Sequence, residues 1–313
     1  MYKKWCNTGW GHEGWEAVPL VPLLGADAHF EWEMQMKIRV VRFVVSAMFL
    51  LLVTVVANAQ TSCSSSITAC GCTISAAGTY TVTANLSAAQ GLTSGNGCID
   101  VNASNVKLFT NGYTITGAGT GTGIGIHLLS SRTNIFLSAA GPDQTYTAIS
   151  GWQYGLESQA HTVTSEGFYF ENNTTGVYLR GAQNNNFGCL GVWDNSVYGV
   201  WIRGGSANQI DYGATWDNGI AGVYIGCSAT GPTGPACTSG NTSSGNSVFG
   251  LLSFTTSAQN YGLVVETGGT QNNLVDNSFF GDTADDLFDG NASATSNTWH
   301  SNLFTTANQS YIH

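Results

Sequence analysis

Charged side chains are scarce in this chain: they make up 9% of its 313 residues, and proline occurs only five times. The helix formers Glu, Lys, Leu and Arg are thin throughout, which excludes a helical solenoid, and the sparse Leu excludes a leucine-rich repeat. Basic residues are scarcest of all. From Gln60 onward there are four (Lys107, Arg132, Arg180 and Arg203) against fourteen acidic residues, a net charge of −10. A surface of that sign excludes nucleic acid and anionic membrane as partners. It leaves room only for a local anion grip by paired arginines.

What the chain does contain is 40 glycines, many Asn, Ser and Thr, and short runs of Val, Ile, Tyr, Phe and Trp. This composition favours short strands broken by many turns. A hydrophobic content of 42% separates it from disordered chains of similar polarity.

One address label is legible. "MKIRVVRFVVSAMFLLLVTVVANAQ" from Met36 has a basic start (Lys37, Arg39, Arg42), an apolar run from Phe43 to Ala57 and a small-x-small site at Ala57-Asn58-Ala59. Residues 36–59 are therefore expected to be a secretory signal cut after Ala59. Residues 1–35 are then expected to be a non-native upstream extension. The mature chain is read as secreted, extracellular or periplasmic, monomeric and free of the membrane after cleavage.

Seven cysteines remain after that cut: Cys63, Cys70, Cys72, Cys98, Cys189, Cys227 and Cys237. Outside the cytoplasm disulfides are the default. Cys227 and Cys237 would close a Gly/Pro-rich loop. The four N-terminal cysteines would form two bridges of undetermined pairing, and Cys189 would be a buried free thiol. A zinc site around "CGC" at 70–72 lacks paired CxxC spacing and a nearby His.

An internal period organises the rest. Gly155, Gly176, Gly199, Gly222 and Gly262 each precede an alternating run, "GLES", "GVYLR", "GVWIR", "GVYIG" and "GLVVE", at intervals of 21, 23, 23 and 40 residues. The last interval carries an insertion at 226–245. Asn185, Asn208, Asn246, Asn272 and Asn297 each stand two residues before an apolar residue (Phe187, Ile210, Val248, Leu274, Trp299). Phe170, Trp193, Trp216, Phe254 and Phe280 form a further aromatic column, read as pointing inward. A period near 23 built from short strands predicts a parallel β-helix, with one coil per repeat.

The segments "CGCTISAAGTYTVTANLSAAQG", "CIDVNASNVKLFTNGYTITGAG" and "NNTTGVYLRGAQNNNFG" resemble secreted right-handed parallel β-helix repeat proteins of the pectin-lyase-like superfamily. The resemblance spans nearly all of 63–313. It implies an all-β right-handed solenoid of eight to ten coils, with a cap and first strands at 60–98 and the helix at 99–313. It does not fix an activity, since that superfamily includes lyases, glycoside hydrolases, epimerases and non-catalytic surface proteins.

Strand alternation singles out an outward stripe, Tyr178, Trp201 and Tyr224, edged by Arg180, Arg203 and Glu266. Such a stripe can bind polysaccharide, its rings packing sugar faces and its charged ends meeting hydroxyls or carboxylates; a structural aromatic ladder is the alternative. Glu171, Asp194 and Asp217 form an acidic column, and Asp194 with Asp217 is a candidate carboxylate pair for glycoside hydrolysis, though "WDN" also reads as a turn. Arg180 and Arg203 are the candidate bases of a lyase. Asp282, Asp285, Asp286 and Asp289 in "GDTADDLFDGN" are candidate Ca²⁺ ligands or a solvated turn; no other cofactor is expected. The resemblance would make Asp285-Asp286 a polygalacturonase-type double aspartate, but the accompanying Gly-His-Gly and Arg-Ile-Lys motifs are missing. So is the Arg-x-Pro-x-x-Arg of pectate lyases. His127, His161 and His300 read as isolated, structural or solvent-facing residues. Three functions remain open: polysaccharide binding, polysaccharide lysis, hydrolysis or epimerisation, and passive structural or adhesive work.

Overall fold

Alternation fixes the coil. In Thr175–Arg180, Val177 and Leu179 are fully buried in the core and Arg180 is exposed, so one face of the strand turns inward and the other leaves. The computed structural model of the chain describes residues 60–88, 96–140, 146–232, 242–256 and 259–313. The expectations for residues 1–59 and for Cys237 lie outside the described residues. Among those described there is no helix, and short strands sort into three sheets of ten, ten and nine strands. The chain visits the sheets in turn, and each strand pairs in parallel with its equivalent one coil later. This is a parallel β-helix.

The first sheet contains Gly97–Val101, Ile124–Leu128, Tyr154–Ser158, Thr175–Arg180, Tyr198–Arg203, Ala221–Ile225, Tyr261–Val265 and Asp285–Asp289 among its ten strands. Leu156, Val177, Val200, Val223, Leu263 and Leu287 stack in register along its inner face. On the second sheet the inner column is Phe187, Ile210, Val248, Leu274 and Trp299, as the Asn spacing predicts. Full burial of one such side chain contributes about 1.5–3 kcal/mol. Ordering a coil's backbone costs about 1–2 kcal/mol per residue. A lone coil therefore cannot hold itself, and stacking is obligatory.

The glycine column marks where stacked backbones leave no room for a side chain. A Cβ on Gly176 would lie 2.7 Å from the carbonyl oxygen of Gly199, and one on Gly199 only 2.5 Å from that of Gly222.

The turn asparagines form buried ladders. Asn185 donates Nδ2 to Oδ1 of Asn208 at 3.0 Å, and Asn208, Asn246 and Asn272 repeat the bond to Asn246, Asn272 and Asn297 at 3.0–3.1 Å. Asn297 ends the series on Asp289 Oδ2. A second ladder runs from Asn173 through Asn195 and Asn218 to Gln259 and Asp282. Each amide satisfies backbone groups that the corner would otherwise bury unpaired.

The third sheet corrects one expectation. Phe170 pairs with Val192, and Val192 with Thr215, whereas Trp193 pairs with Trp216. Phe170 is buried, but Trp193, Trp216, Phe254 and Phe280 stand one residue later and face outward, with Phe254 55% exposed. Val192, Thr215, Ser253 and Phe279 take the inner places. A slip of one residue exchanges the two faces of a strand.

Two disulfides secure the first coils, Cys63–Cys72 and Cys70–Cys98, which occupies both sulfurs of "CGC" and leaves no zinc ligands there. Cys189 is not the expected free thiol. It is disulfide-bonded, half-buried and held at φ +53° in a corner rather than within a strand. Cys227 is bonded as well, and no described cysteine is free. Bridges of this number suit an oxidising compartment.

Candidate functional site

The outer face of the first sheet carries a row in strict register: Asp100, His127, Glu157, Tyr178, Trp201, Tyr224, Val264 and Phe288. The residues of the expected aromatic stripe do stack outside the core. Tyr178 and Trp201 rings lie 4.6 Å apart, and Tyr198 stacks on Tyr224 at 4.6 Å. They are nevertheless covered, and this corrects the expectation of an open platform. Tyr178, Trp201 and Tyr224 are 3%, 5% and 0% exposed and form a second hydrophobic cluster with Tyr198, Ala221 and Val264.

The start of the insertion supplies part of the cover. Trp201 donates its indole N–H to Gly226 O at 2.8 Å. Tyr198 donates to Ser228 O at 2.9 Å and accepts from Gly231 N at 3.0 Å. Glu266 is buried beside them, accepting the backbone N–H groups of Cys227 and Ser228 at 2.6 and 3.1 Å. It holds the insertion in place instead of facing a ligand. Burial pushes the Tyr198 and Tyr224 phenols well above the ordinary range, and the Glu266 carboxylate adds to the shift.

Arg180 and Arg203 remain outside. They are directly opposed on neighbouring strands, and the Arg180 side chain is 60% exposed. Arg203 is fixed by donating NH1 to Tyr178 OH at 3.3 Å, with its guanidinium 5.6 Å from the Trp201 ring centroid. Arg180 NH1 stands 3.9 Å from Glu157 Oε1, the outer edge of ion-pair range.

Sequence reasoning missed the polar end of this row. Asp100 accepts Gly97 N–H at 2.8 Å and lies 3.3 Å from His127 Nδ1, and neither His127 ring nitrogen completes a hydrogen bond. Buried Glu157 accepts from Gln159 at 3.0 Å. The signal was present in "CID", "GIH" and "GLE", where each polar residue follows an inner aliphatic one. His127 is therefore a member of the row and not an isolated residue.

The carboxylate candidates do not join the arginines. Asp194 and Asp217 sit at φ +53° and +54° in the corner entering the first sheet, whereas Arg203 ends the six-residue strand that follows. A strand of that length spans about 20 Å. Asp217 is occupied by Thr256, accepting its N–H at 2.7 Å and its hydroxyl at 2.6 Å. Glu171 belongs to another column, since it pairs with Trp193, and burial raises its carboxyl. Partial burial raises the Asp194 carboxyl, and the neighbouring Asp217 adds to the shift.

The C-terminal aspartates also separate. Asp282 accepts from Thr255 and Gln259, Asp286 from the backbone of Thr305 and Thr306, and Asp289 from Asn297 and Trp299, while Asp285 lies on the strand's outer face. Among the described residues no group of three or more acidic, His or Cys side chains converges as a metal site.

No family model and no curated protein sequence matches the chain. Among solved structures it is similar to an alginate lyase from Paenibacillus sp. str. FPU-7, at 15% identity and a TM-score of 0.43 over 70% of each chain. A likeness that distant assigns neither an activity nor a site.

Proposed function

We propose that this is a secreted β-helix protein that binds a carboxylate-bearing polysaccharide at Arg180 and Arg203. One observation carries the reading. Two of the four basic residues beyond Gln60 are opposed on adjacent strands, in a segment with fourteen acidic residues available to neutralise them. Like charges directly opposite destabilise a sheet. Arg203 nevertheless has no ion pair among the described residues, and Arg180 has only the 3.9 Å contact. A bound carboxylate relieves that repulsion, and each guanidinium fork can take one bidentately. The burial of Tyr178 and Trp201 gives the arginines a rigid floor in place of a stacking platform.

The test is retention on polygalacturonate and alginate, two uronate polymers, against neutral polymers in the same buffer. Substituting both arginines by Ala is expected to weaken uronate binding at least tenfold, with Lys at both positions intermediate. Unchanged retention in the double Ala variant overturns the reading.

The enzyme alternative has one observation in its favour, the Asp100–His127–Glu157 row beside Arg180, which places proton-transfer groups within a few coils of the anion grip. Release of unsaturated or reducing sugars that His127→Ala abolishes would establish turnover. Absence of both binding and products leaves the structural reading.

A further inference from the structure

The face that sequence reasoning placed inside the helix is the exposed one. Along the outside of the third sheet, Tyr146, Tyr169, Trp193 and Trp216 follow one another at centroid steps of 5.0, 5.1 and 4.7 Å. All four rings are partly exposed. Farther along, Phe254 and Phe280 continue the outward positions at 5.6 Å, flanked by Leu252 at 42% and Leu303 at 62% exposure.

Tyr146 and Tyr169 are tilted by 44° and Tyr169 meets Trp193 edge-on at 61°, while the two tryptophans lie like roof tiles. Trp193 and Trp216 are within 5° of parallel at 4.7 Å, while aromatic carbons in contact stand about 3.5–4 Å apart, so the two must be offset and each leaves part of its face open. Gly191 is a condition of this arrangement: a Cβ there would lie 2.5 Å from Trp193 and 2.7 Å from Tyr169.

Charge selects the occupant. The strands of the third sheet contain no Lys or Arg, and the described acids at this face are Glu171, within the sheet, and Asp194 and Asp217 at its edge. An anionic polymer or anionic lipid is repelled there. A two-fold pairing of the face with a second copy would bring these carboxylates together. A neutral polymer meets no such opposition, and exposed Asp194 offers carboxylate oxygens to hydroxyl donors. The regular ring spacing, about one coil per step, is comparable to the length of one pyranose unit. From Tyr146 to Trp216 the line covers about 15 Å, three strand spacings, enough for three or four sugars.

We infer that the third sheet carries a second glycan site, specific for a neutral polysaccharide, with Tyr169, Trp193 and Trp216 as its platform and Asp194 as a hydroxyl acceptor. It is independent of the arginine site and lies on a different sheet.

The experiment is native affinity electrophoresis of the full chain in gels containing hydroxyethylcellulose, galactomannan or a soluble β-1,3-glucan. Retardation is expected in at least one gel, with little change at high salt. The W193A/W216A variant should lose it at least tenfold, whereas R180A/R203A should keep it. A second variant, W193F/W216F, preserves the stack and serves a fluorescence measurement. In the secreted chain from Gln60 onward the other tryptophans, Trp152, Trp201 and Trp299, are buried, so acrylamide quenching that the polymer suppresses in the wild type, and not in this variant, reports on the platform. Four outcomes overturn the proposal: no retardation in any neutral gel, retardation unaffected by W193A/W216A, a concentration-dependent dimer dissolved by that variant, or binding to phosphatidylcholine vesicles that it abolishes.

Discussion

Gln259 donates its Nε2 to Oδ1 of Asp282 at 2.7 Å, so the amide ladder that begins at Asn173 ends on a carboxyl. Thr255 donates to the same oxygen at 3.1 Å, and Oδ2 is buried without a partner. Burial pushes the Asp282 carboxyl up to about 7, against the two hydrogen bonds that lower it.

The sign of the consequence follows from linkage. A carboxyl raised from about 4 in the unfolded chain favours the folded state while it is protonated. Its contribution is fully present below about pH 4 and is lost as pH rises through about 7. Glu171, Asp211 and Asp285, half-buried, and the more exposed Asp194 are also raised and act in the same direction. The melting temperature is therefore expected to fall between pH 4 and 8, and Asp282→Asn should flatten much of that slope. A wild-type curve that rises across this window contradicts the assignment.

The interior amides predict the largest single-residue effects. Asn208 accepts from Asn185 N and Nδ2 and donates to Ala182 O and Asn246 Oδ1, all buried. Asn208→Ala strands these groups, each at about 1–3 kcal/mol when unpaired, so a loss of about 3 kcal/mol or more is expected in denaturant titrations. Asn186→Ala, one residue before the inner Phe187 and facing outward, should cost within about 0.5 kcal/mol.

Trp201 separates stability from recognition. It is 5% exposed, stacked on Tyr178 and hydrogen-bonded to Gly226. Its removal is expected to cost about 3–5 kcal/mol, as for other buried aromatics. Uronate binding measured below the shifted melting point should fall only as far as Arg203 loses its floor. Arg203→Ala should do the reverse, weakening binding with a melting point within a few degrees of wild type.

The repeat was legible because stacking dictates it. The Gly column, the Asn ladder and the inner aliphatics recur at one coil length, and each marks a contact that every coil must make. Three features escaped for physical reasons. The alternation at Val192 and Trp193 allows either face to be inner, and bulk alone did not decide between them, since the smaller residue went in. The cover over Trp201 comes from an insertion, whose path no period encodes. The Asp100–His127–Glu157 row lies on coils whose equivalent residues are 27 and 30 apart, outside the 23-residue spacing that revealed the others.

The two N-terminal bridges differ in the chain they close, and this ranks their contributions. Cys70–Cys98 spans 28 residues and Cys63–Cys72 only nine. In the chain-entropy account these loops correspond to about 3.6 and 2.6 kcal/mol of stabilisation. Cys70 and Cys98 also tie the first coils across a rung, because Cys98 precedes Ile99, the register partner of Cys72. The Cys70→Ala/Cys98→Ala variant is therefore expected to be the less stable of the two double variants, by about 1 kcal/mol in equilibrium denaturation. Fraying should begin at the N-terminal coils, seen as early amide exchange of Ile74 and Val101 ahead of Val200 and Val223. Equal losses in both variants, or uniform exchange along the helix, would show that these bridges do not anchor the end of the stack.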